Sequence, residues 1–272
     1  MRSGQELHMT THQVPGAVLA LDERGDGPAV VQLHGLTSSR ARDETLRLDL
    51  TAGLDGHRVL RYDARGHGRS TGRPETSDYL WPRLADDLLD LLAARCAGDP
   101  VAGVGQSMGT ATLLHAALRD PARFSRLVLA LPPTAWQSRV AQREVYRASA
   151  ELVERRGVGA WTEMSRLAPR PPAVDPQIPL TAPDVAEALV PSLLRGAAGS
   201  DLPDLTHLTG LRLPTLILAW EGDAAHPLST ARALSVVLPD SHLVIAATPA
   251  QVVGWPALVA QHLRGDLGTG LR

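Results

Sequence analysis

Gly105-Gln106-Ser107-Met108-Gly109 lies between an apolar run predicted to be a strand, 101–105, and a helical pattern, 108–118. A serine on such a tight strand-to-helix turn has strained backbone and presents its hydroxyl above the sheet. The flanking glycines leave room where the strand and the helix approach each other. With 24 glycines in the chain the pattern alone is weak, so its strand–helix context carries the prediction. Ser107 is therefore a candidate nucleophile, and the Met108 N–H at the helix start is a candidate oxyanion donor.

Short apolar runs alternate with helical patterns along most of the chain, which is typical of a mostly parallel sheet flanked by helices. Two N-terminal runs, 7–14 and 17–21, predict an antiparallel hairpin that turns at Pro15-Gly16. Further strands are predicted at 29–33, 59–62, 101–105, 127–131, 214–220 and 242–246. Helices are predicted at 79–95, 108–118, 228–238 and 255–263.

The segment 134–213 differs from the rest because it contains no run with the character of a buried strand. Amphipathic helices are predicted at 137–156 and 183–194, with a proline-rich break at 169–172 between them. An insertion of about 80 residues between two core strands is far longer than an ordinary connection. We therefore predict an α/β core made of 1–133 and 214–272, with a helical cap at 134–213.

Composition excludes several kinds of chemistry. All 27 basic residues are arginine, so a lysine Schiff base is excluded, and without asparagine there is no Cys-His-Asn triad. The single cysteine, Cys96, cannot form an internal disulfide, and no ligand spacing predicts a metal or another cofactor. A net charge of -2 without a basic stripe argues against nucleic acid as a partner. The polar N-terminus and the absence of a long apolar run predict a cytoplasmic protein without a membrane partner.

Four motifs in this order resemble the α/β-hydrolase superfamily, in its capped branch of esterases and enol-lactonases. They are His34-Gly35-Leu36, the run 62–70 that contains Gly66-His67-Gly68, the Ser107 turn, and the segment 221–227. The resemblance implies an α/β-hydrolase fold and makes Leu36 N–H the second oxyanion donor. It also implies that Asp223 is the catalytic acid, although Asp223 could instead cap the helix that follows.

The same resemblance places substrate near the turns that surround the nucleophile. We expect His34, Gly35, Gln106 and Trp136 to contact the substrate. The alternatives are a hydrogen-bonded loop residue for His34 and a cap-core residue for Trp136, which we favour. For His67 we favour a role in bracing its loop over a role in catalysis.

The general base is missing from the position where the superfamily carries it. A histidine should follow the last strand, but the loop 247–256 contains none, and Gln251 near the expected place cannot take a proton. His226 is the best substitute because it lies on the same loop as Asp223. A helix-start or loop hydrogen bond for His226 is the alternative that we favour. Of the others, His262 is predicted to be at the surface, His115 to pack, His207 to reach the mouth, and His242 to lie at the wrong end.

Three functional hypotheses follow from these residues. The first is a hydrolase of a small ester or lactone, with Ser107 as nucleophile and His226 or another rearranged histidine as base. The second is a non-hydrolytic enzyme (a lyase, a cyclase or an elimination enzyme) with a degenerate triad, and the third is a ligand-binding protein. The distance from each histidine to Ser107 separates the first two.

Overall fold

The computed structural model describes residues 8–267, in which eight strands form one sheet with the order β1-β2-β4-β3-β5-β6-β7-β8. Antiparallel pairing joins β1 to β2 and β2 to β4, whereas all other neighbours are parallel. This arrangement confirms the predicted mostly parallel sheet. The strands are β1 His8–Val14, β2 Ala17–Arg24, β3 Ala29–Leu33, β4 Arg58–Tyr62, β5 Val101–Gln106, β6 Phe124–Ala130, β7 Thr215–Trp220 and β8 Ser241–Ala246.

Helices cover both faces of this sheet, as a parallel sheet requires. One apolar cluster joins the sheet to α2, α3 and α7, and a second cluster joins the opposite face to α9. Residue Leu7 of the predicted hairpin lies outside the described residues. The helices are α1 Arg40–Thr45, α2 Trp81–Arg95, α3 Met108–Arg119, α4 Arg139–Arg166, α5 Val190–Ala198, α6 Leu205–Leu208, α7 Leu228–Val237, α8 Pro249–Val253 and α9 Trp255–Arg264.

Most predicted elements are found within three residues of their expected bounds, but the helix expected at 183–194 is wrong at its start. The chain at Asp184 forms a bend instead of a helix and hydrogen-bonds to two core loops, from its N–H to Thr37 O and from Gly68 N–H to its carbonyl. These tertiary contacts override the local helical pattern. A short 3-10 turn at Glu187–Leu189 precedes α5, which begins with proline at its second residue, where its missing N–H costs nothing.

The segment between β6 and β7 is helical, as expected, and all of it is described. Within 131–214 the only strand-like pairing is an isolated bridge between Val185 and His67. Helices α4 and α5 pack on each other through a small apolar cluster of Ala150, Val153, Val190 and Leu194. The insert begins where β6 ends and so lies at the carboxyl end of the parallel strands, where Ser107 also follows β5. Its status as a separate cap domain remains a prediction.

Candidate active site

Ser107 occupies a strained turn between β5 and α3. Its backbone has φ 51° and ψ −109°, a left-handed conformation that costs a residue with a side chain about 1–3 kcal/mol. Close packing explains the flanking glycines: a Cβ at Gly105 would lie 2.5 Å from Gly109 O, and one at Gly109 would lie 2.6 Å from Leu33 O. The Ser107 N–H donates to Ala130 O at 2.9 Å, which fixes the turn to the neighbouring strand. Its side chain is partly exposed rather than packed in the core.

His226 lies against Ser107 and connects it to Asp223. The distance from His226 Nε2 to Ser107 Oγ is 2.9 Å, and the distance from His226 Nδ1 to Asp223 Oδ2 is 2.8 Å. A carboxylate can only accept, so Nδ1 carries the proton and Nε2 is left to accept one from the serine hydroxyl. His226 and Asp223 both come from the loop between β7 and α7, three residues apart. The loop hydrogen bond that we favoured for His226 therefore exists, but it is only half of its contacts.

Asp223 is held by three N–H donors. Besides His226, Trp220 Nε1 donates to Oδ2 at 2.7 Å and the Ala225 N–H donates to Oδ1 at 2.9 Å. Burial raises the pKa of Asp223, but the hydrogen bonds from His226, Trp220 and Ala225 outweigh it and hold this pKa below its usual range. Asp223 is thus a carboxylate at neutral pH. Its bond to Ala225 forms a local turn before Pro227, and α7 begins at Leu228 without a side-chain cap, so the alternative that Asp223 caps this helix is wrong.

The two predicted oxyanion donors lie on turns beside Ser107. Met108 is the first residue of α3, so its N–H has no acceptor within the helix and lies at the positive end of the helix dipole. The turn at Gly35 is close to the nucleophile, since a Cβ there would lie 3.4 Å from Ser107 Cβ. Leu36 comes next, and its side chain packs against both the main core and the α4–α5 cluster. The oxyanion role of these N–H groups remains a proposal.

His34 and His67 are both buried and stand beside each other, with ring centroids 4.9 Å apart. His34 Nε2 accepts from the Ala64 N–H at 2.9 Å, and Nδ1 is 2.8 Å from Gly35 O. His67 Nδ1 lies 2.9 Å from Arg65 O. Burial lowers the pKa of both rings, that of His67 to about 3, so both are neutral. These contacts favour loop bracing for both, and substrate contact by His34 remains a prediction.

Two other predicted substrate contacts differ in their surroundings. Gln106 is buried next to the Ser107 turn, and its Oε1 has no partner among the described residues. Trp136, by contrast, is tied to the far end of the insert: its N–H donates to Asp201 Oδ1 and its indole Nε1 to Pro203 O. It also packs on the main core. This geometry favours the structural alternative for Trp136, and its contact with substrate stays untested.

The loop without histidine forms a short helix instead of reaching Ser107. Gln251 Oε1 accepts from the N–H groups of Ala247 and Thr248 at 2.7 and 3.0 Å, so its side chain caps the start of α8. The prediction that His262 is at the surface is wrong. It is 3% exposed and its Nε2 lies 3.0 Å from Leu127 O, because α9 turns this face toward the sheet.

A cavity of about 230 Å³ opens between the insert and the turn 35–37. Thr37, directly after Leu36, lines one side, and Trp161 of α4 lines the other. Of the two tryptophans of the insert, Trp161 therefore lines this cavity and Trp136 does not. The sequence did not distinguish between them. Trp220 was missed as a partner of Asp223, although its place at the end of a predicted strand, three residues earlier, was a usable signal.

Two kinds of feature are absent from residues 8–267. They contain no group of three or more His, Cys, Asp or Glu side chains arranged to hold a metal ion. They also contain no helix that is both long and apolar enough to cross a bilayer.

The eight-stranded sheet and the Ser–His–Asp arrangement at its carboxyl edge define a protein of the α/β-hydrolase superfamily. A family profile described as serine aminopeptidase, S33, matches residues 26–235, and the chain belongs to this family. It is therefore an α/β-fold hydrolase.

Similar proteins support this class. The chain is 35% identical over 127 residues to the sn-1-specific diacylglycerol lipase ABHD11 of Mus musculus, a match that covers 47% of this chain and 39% of that protein. It is 35% identical over 103 residues to the 2-(acetamidomethylene)succinate hydrolase of Mesorhizobium japonicum, covering 38% of this chain and 35% of that protein. The chain thus matches less than half the length of these curated relatives.

Two solved structures match nearly the whole chain. An esterase from Thermogutta terrifontis is similar with a TM-score of 0.70 and 26% identity, over 97% of each chain. The enol-lactonase from Burkholderia xenovorans LB400 is similar with a TM-score of 0.77 over 94% of this chain and all of that one, but at 21% identity this likeness shows the fold alone.

Proposed function

We propose that this hydrolase acts on a small ester or lactone, with Ser107 as nucleophile, His226 as general base and Asp223 as the acid that orients it. The 2.9 Å distance between His226 Nε2 and Ser107 Oγ carries this proposal. It supports hydrolysis over the non-hydrolytic alternative, which was motivated by the loss of the usual histidine, and an intact triad also argues against the ligand-binding alternative. A base from the β7 loop takes the place of one from the β8 loop.

The reaction follows from these contacts. Ser107 Oγ attacks the carbonyl carbon while its proton passes to His226 Nε2, and the resulting imidazolium is stabilised by the Asp223 carboxylate. The Leu36 and Met108 N–H groups receive the negative charge that develops on the carbonyl oxygen. His226 returns its proton to the leaving alcohol oxygen as the C–O bond breaks. Water, deprotonated by His226, then attacks the acyl-enzyme, and the serine regains its proton as the acid leaves.

The substrate would lie in the cavity between Thr37 and Trp161. Its volume of about 230 Å³ suits a small molecule rather than a folded chain. Thr37 in its lining directly follows Leu36, whose N–H is a proposed oxyanion donor.

Labelling and kinetics together test the nucleophile and the base. A fluorophosphonate should label Ser107 in the native protein at one site, and Ser107→Ala should abolish the label. His226→Gln should lower kcat for p-nitrophenyl acetate by about 10⁶-fold, as loss of a triad base does. His207→Gln, which changes a histidine on α6, is the matched control and should keep full activity. Unchanged turnover in His226→Gln would refute the assignment of the base.

A further inference from the structure

A second cavity, of about 260 Å³, lies between the returning segment of the insert and helix α8; we call it the α8 cavity. Its walls are largely apolar, with Ala173, Ile178, Leu180 and Val252 among them. Leu180 and Val253, on the same lining, are 50% and 69% exposed, which is unusual for large apolar side chains. If each methylene group takes about the volume of one water, about 30 Å³, the cavity has room for a chain of about eight carbon atoms.

One wall of the α8 cavity is formed by the segment in which the superfamily carries its catalytic histidine. The β8–α8 loop, which carries a histidine in the superfamily that the chain resembles, here supplies Pro249, Val252 and Val253 to the lining. The cap of Thr248 and Gln251 fixes this helix in place. Because His226 contacts Ser107 from the β7–α7 loop, α8 does not have to supply a base for Ser107.

Positive charge is in excess around this apolar space. The lining contains three arginines and one aspartate: Arg42, Arg47, Arg170 and Asp175. Asp175 pairs with Arg47 at 3.0 Å. Arg170 is bonded only to backbone carbonyls, those of Asp175 and Ile178.

Of the two arginines in this lining for which the described residues show no ion pair, Arg42 is partly buried whereas Arg170 is exposed. Its Nε and Nη2 donate to Thr181 Oγ1 and Thr181 O, which are neutral acceptors. Asp43 and Asp184 act on it electrostatically without a direct ion pair, and each accepts a hydrogen bond from a serine hydroxyl. A guanidinium in a partly buried site favours an anionic partner, and carboxylate matches its geometry.

We propose that the α8 cavity is a second binding site, for a medium-chain carboxylate. The apolar chain lies between the insert and α8, and the carboxylate is held by Arg42 with Arg170 nearby. The chemistry fits a free fatty carboxylate and equally the distal carboxylate of a dicarboxylic half-ester substrate, because Arg42, Leu180 and Thr181 also line the cavity beside the turn 35–37.

A carboxylate bound in the α8 cavity affects the candidate triad through Trp220. Its ring lines the α8 cavity while its Nε1 donates to Asp223 Oδ2. The insert also touches the loop itself, since a Cβ at Gly222 would lie 2.9 Å from Pro172 Cδ. This coupling rests on the proposed function, whereas binding does not.

Calorimetric titration of the Ser107→Ala protein tests binding without any turnover. Octanoate should bind with one-to-one stoichiometry and at least about tenfold more tightly than octan-1-ol or acetate. Arg42→Gln and Val253→Trp should each weaken octanoate binding by about tenfold or more, through loss of charge and loss of space. Arg232→Gln and Val236→Trp change an exposed arginine and an exposed valine of α7 and should change it less than about twofold. Thermal unfolding confirms that each variant is folded.

The failure of the site and the failure of the triad give different results. Absence of saturable octanoate binding, octan-1-ol binding as tight as that of octanoate, or equal weakening by the control variants would each overturn the site. In the native protein, saturating octanoate should change the rate of fluorophosphonate labelling to a new finite value. Complete protection from labelling by octanoate would place the carboxylate in the active site and overturn the second site, whereas absence of labelling without octanoate would refute the nucleophile. With p-nitrophenyl hydrogen suberate and p-nitrophenyl octanoate, a KM increase in Arg42→Gln confined to the half-ester identifies the substrate's own carboxylate as the occupant. A KM for the half-ester that is equal in Arg42→Gln and in the native protein identifies a free carboxylate as the occupant.

Discussion

Oδ2 of Asp223 accepts from two side chains at once, His226 Nδ1 at 2.8 Å and Trp220 Nε1 at 2.7 Å. The carboxylate could rotate about its Cβ–Cγ bond if His226 were its only side-chain partner. Trp220 is buried at the end of β7, so its indole N–H fixes the plane in which the carboxylate faces the imidazole. Trp220 is therefore a positioning residue for the proposed reaction.

Replacing Trp220 by phenylalanine should expose this role. Trp220→Phe keeps a ring but removes the donor, so the charge on Asp223 loses a hydrogen bond of about 1.5–3 kcal/mol, and kcat should fall about tenfold or more. The pKa of Asp223 should rise toward its usual value, because one of the three donors that hold it low is lost. Turnover of p-nitrophenyl acetate measures the first effect, and an NMR pH titration of the Asp223 carboxylate measures the second.

Trp255→Phe is the matched control. Trp255 is buried and stacks on Trp220 at 5.8 Å, but its indole N–H has no partner among the described residues. It therefore loses similar packing without losing a hydrogen bond to the acid. Equal falls in kcat and equal shifts of the Asp223 carboxylate titration in the two variants would show that packing, not the N–H, matters.

Sequence predicted Ser107 and Asp223 because each follows a recognisable strand within a motif. It underrated His226 because whether a loop residue turns back toward a serine 119 residues away depends on how the β7–α7 loop folds. The spacing of three residues from Asp223, just before Pro227, was the available signal. The contacts of His67 and His34 agree with the loop-bracing interpretation, since a polar ring in a buried Gly-rich turn must satisfy backbone groups.

Helix α4 is bent at Gly157, whose φ of 80° departs from helical geometry. The Val158 N–H, freed by the bend, donates to Glu187 Oε1 at 3.0 Å. The bend thus links the two halves of α4 to the turn before α5. It also places Trp161, in the second half, at the cavity beside the turn 35–37.

Alanine at two nearby glycines should change stability in opposite directions. Gly157→Ala forces a side chain into a left-handed conformation and near Glu187, and it should destabilise the protein by about 1 kcal/mol or more. Gly159→Ala lies in regular helix with open space around it and should stabilise it by about 0.5–1 kcal/mol. Urea unfolding of both variants gives the comparison. Stabilisation by Gly157→Ala would show that the bend is not required.

Elements were predictable where one face of a long pattern is buried, as in α2 and α3. Helices α1 and α8 were not, because five or six residues are too few to show helical periodicity. The end of α4 was missed by ten residues, since its second half is largely exposed and its pattern is correspondingly polar. Asp184 and its neighbours were misassigned because contacts with Thr37 and Gly68 decide their conformation.

At the scale of the molecule, one buried arginine ties the two ends of the insert together. Arg139 at the start of α4 donates to Thr134 Oγ1, to Ala197 O and to Ser200 O, and its guanidinium lies 4.2 Å from the centroid of the Trp81 ring. It is fully buried and has no ion pair among the described residues. The carbonyls of Ala197 and Ser200 at the end of α5 supply the negative partial charge that it needs.

Arg139→Met should loosen the insert. Methionine keeps much of the volume but leaves several buried acceptors without donors, at a cost of about 3 kcal/mol in the free energy of unfolding. Limited proteolysis should cut within 134–213 sooner than in the native protein, while urea denaturation reports the total loss. Arg147→Met, at an exposed position of α4, should leave both unchanged. Native-like resistance to cleavage in Arg139→Met would contradict a fastening role.

The buried histidines make the stability of the whole molecule depend on pH. Burial lowers the pKa of His67 to about 3 and that of His262 to about 4, and it also lowers the pKa of His34 and His115. Between these values and about 6.5 the unfolded chain binds more protons than the folded chain. Stability should therefore be lost as the pH falls below about 6.5, by up to about 1.4 kcal/mol per pH unit for each such histidine.

Asp43 acts in the opposite direction. Burial raises its pKa to about 7, so above its unfolded value of about 3.9 the folded chain holds a proton that the unfolded chain has lost, and this contribution is lost as the pH rises toward 7. The histidines outnumber it, so the net stability should still fall on acidification. His262→Gln retains a side-chain N–H that can donate to Leu127 O and removes one titrating ring. Urea unfolding between about pH 4.5 and 7 should show its slope reduced by about 1.4 kcal/mol per pH unit, whereas His207→Gln should keep the native slope. A native slope in His262→Gln would mean that this ring takes up its proton without opening the interface between α9 and the sheet.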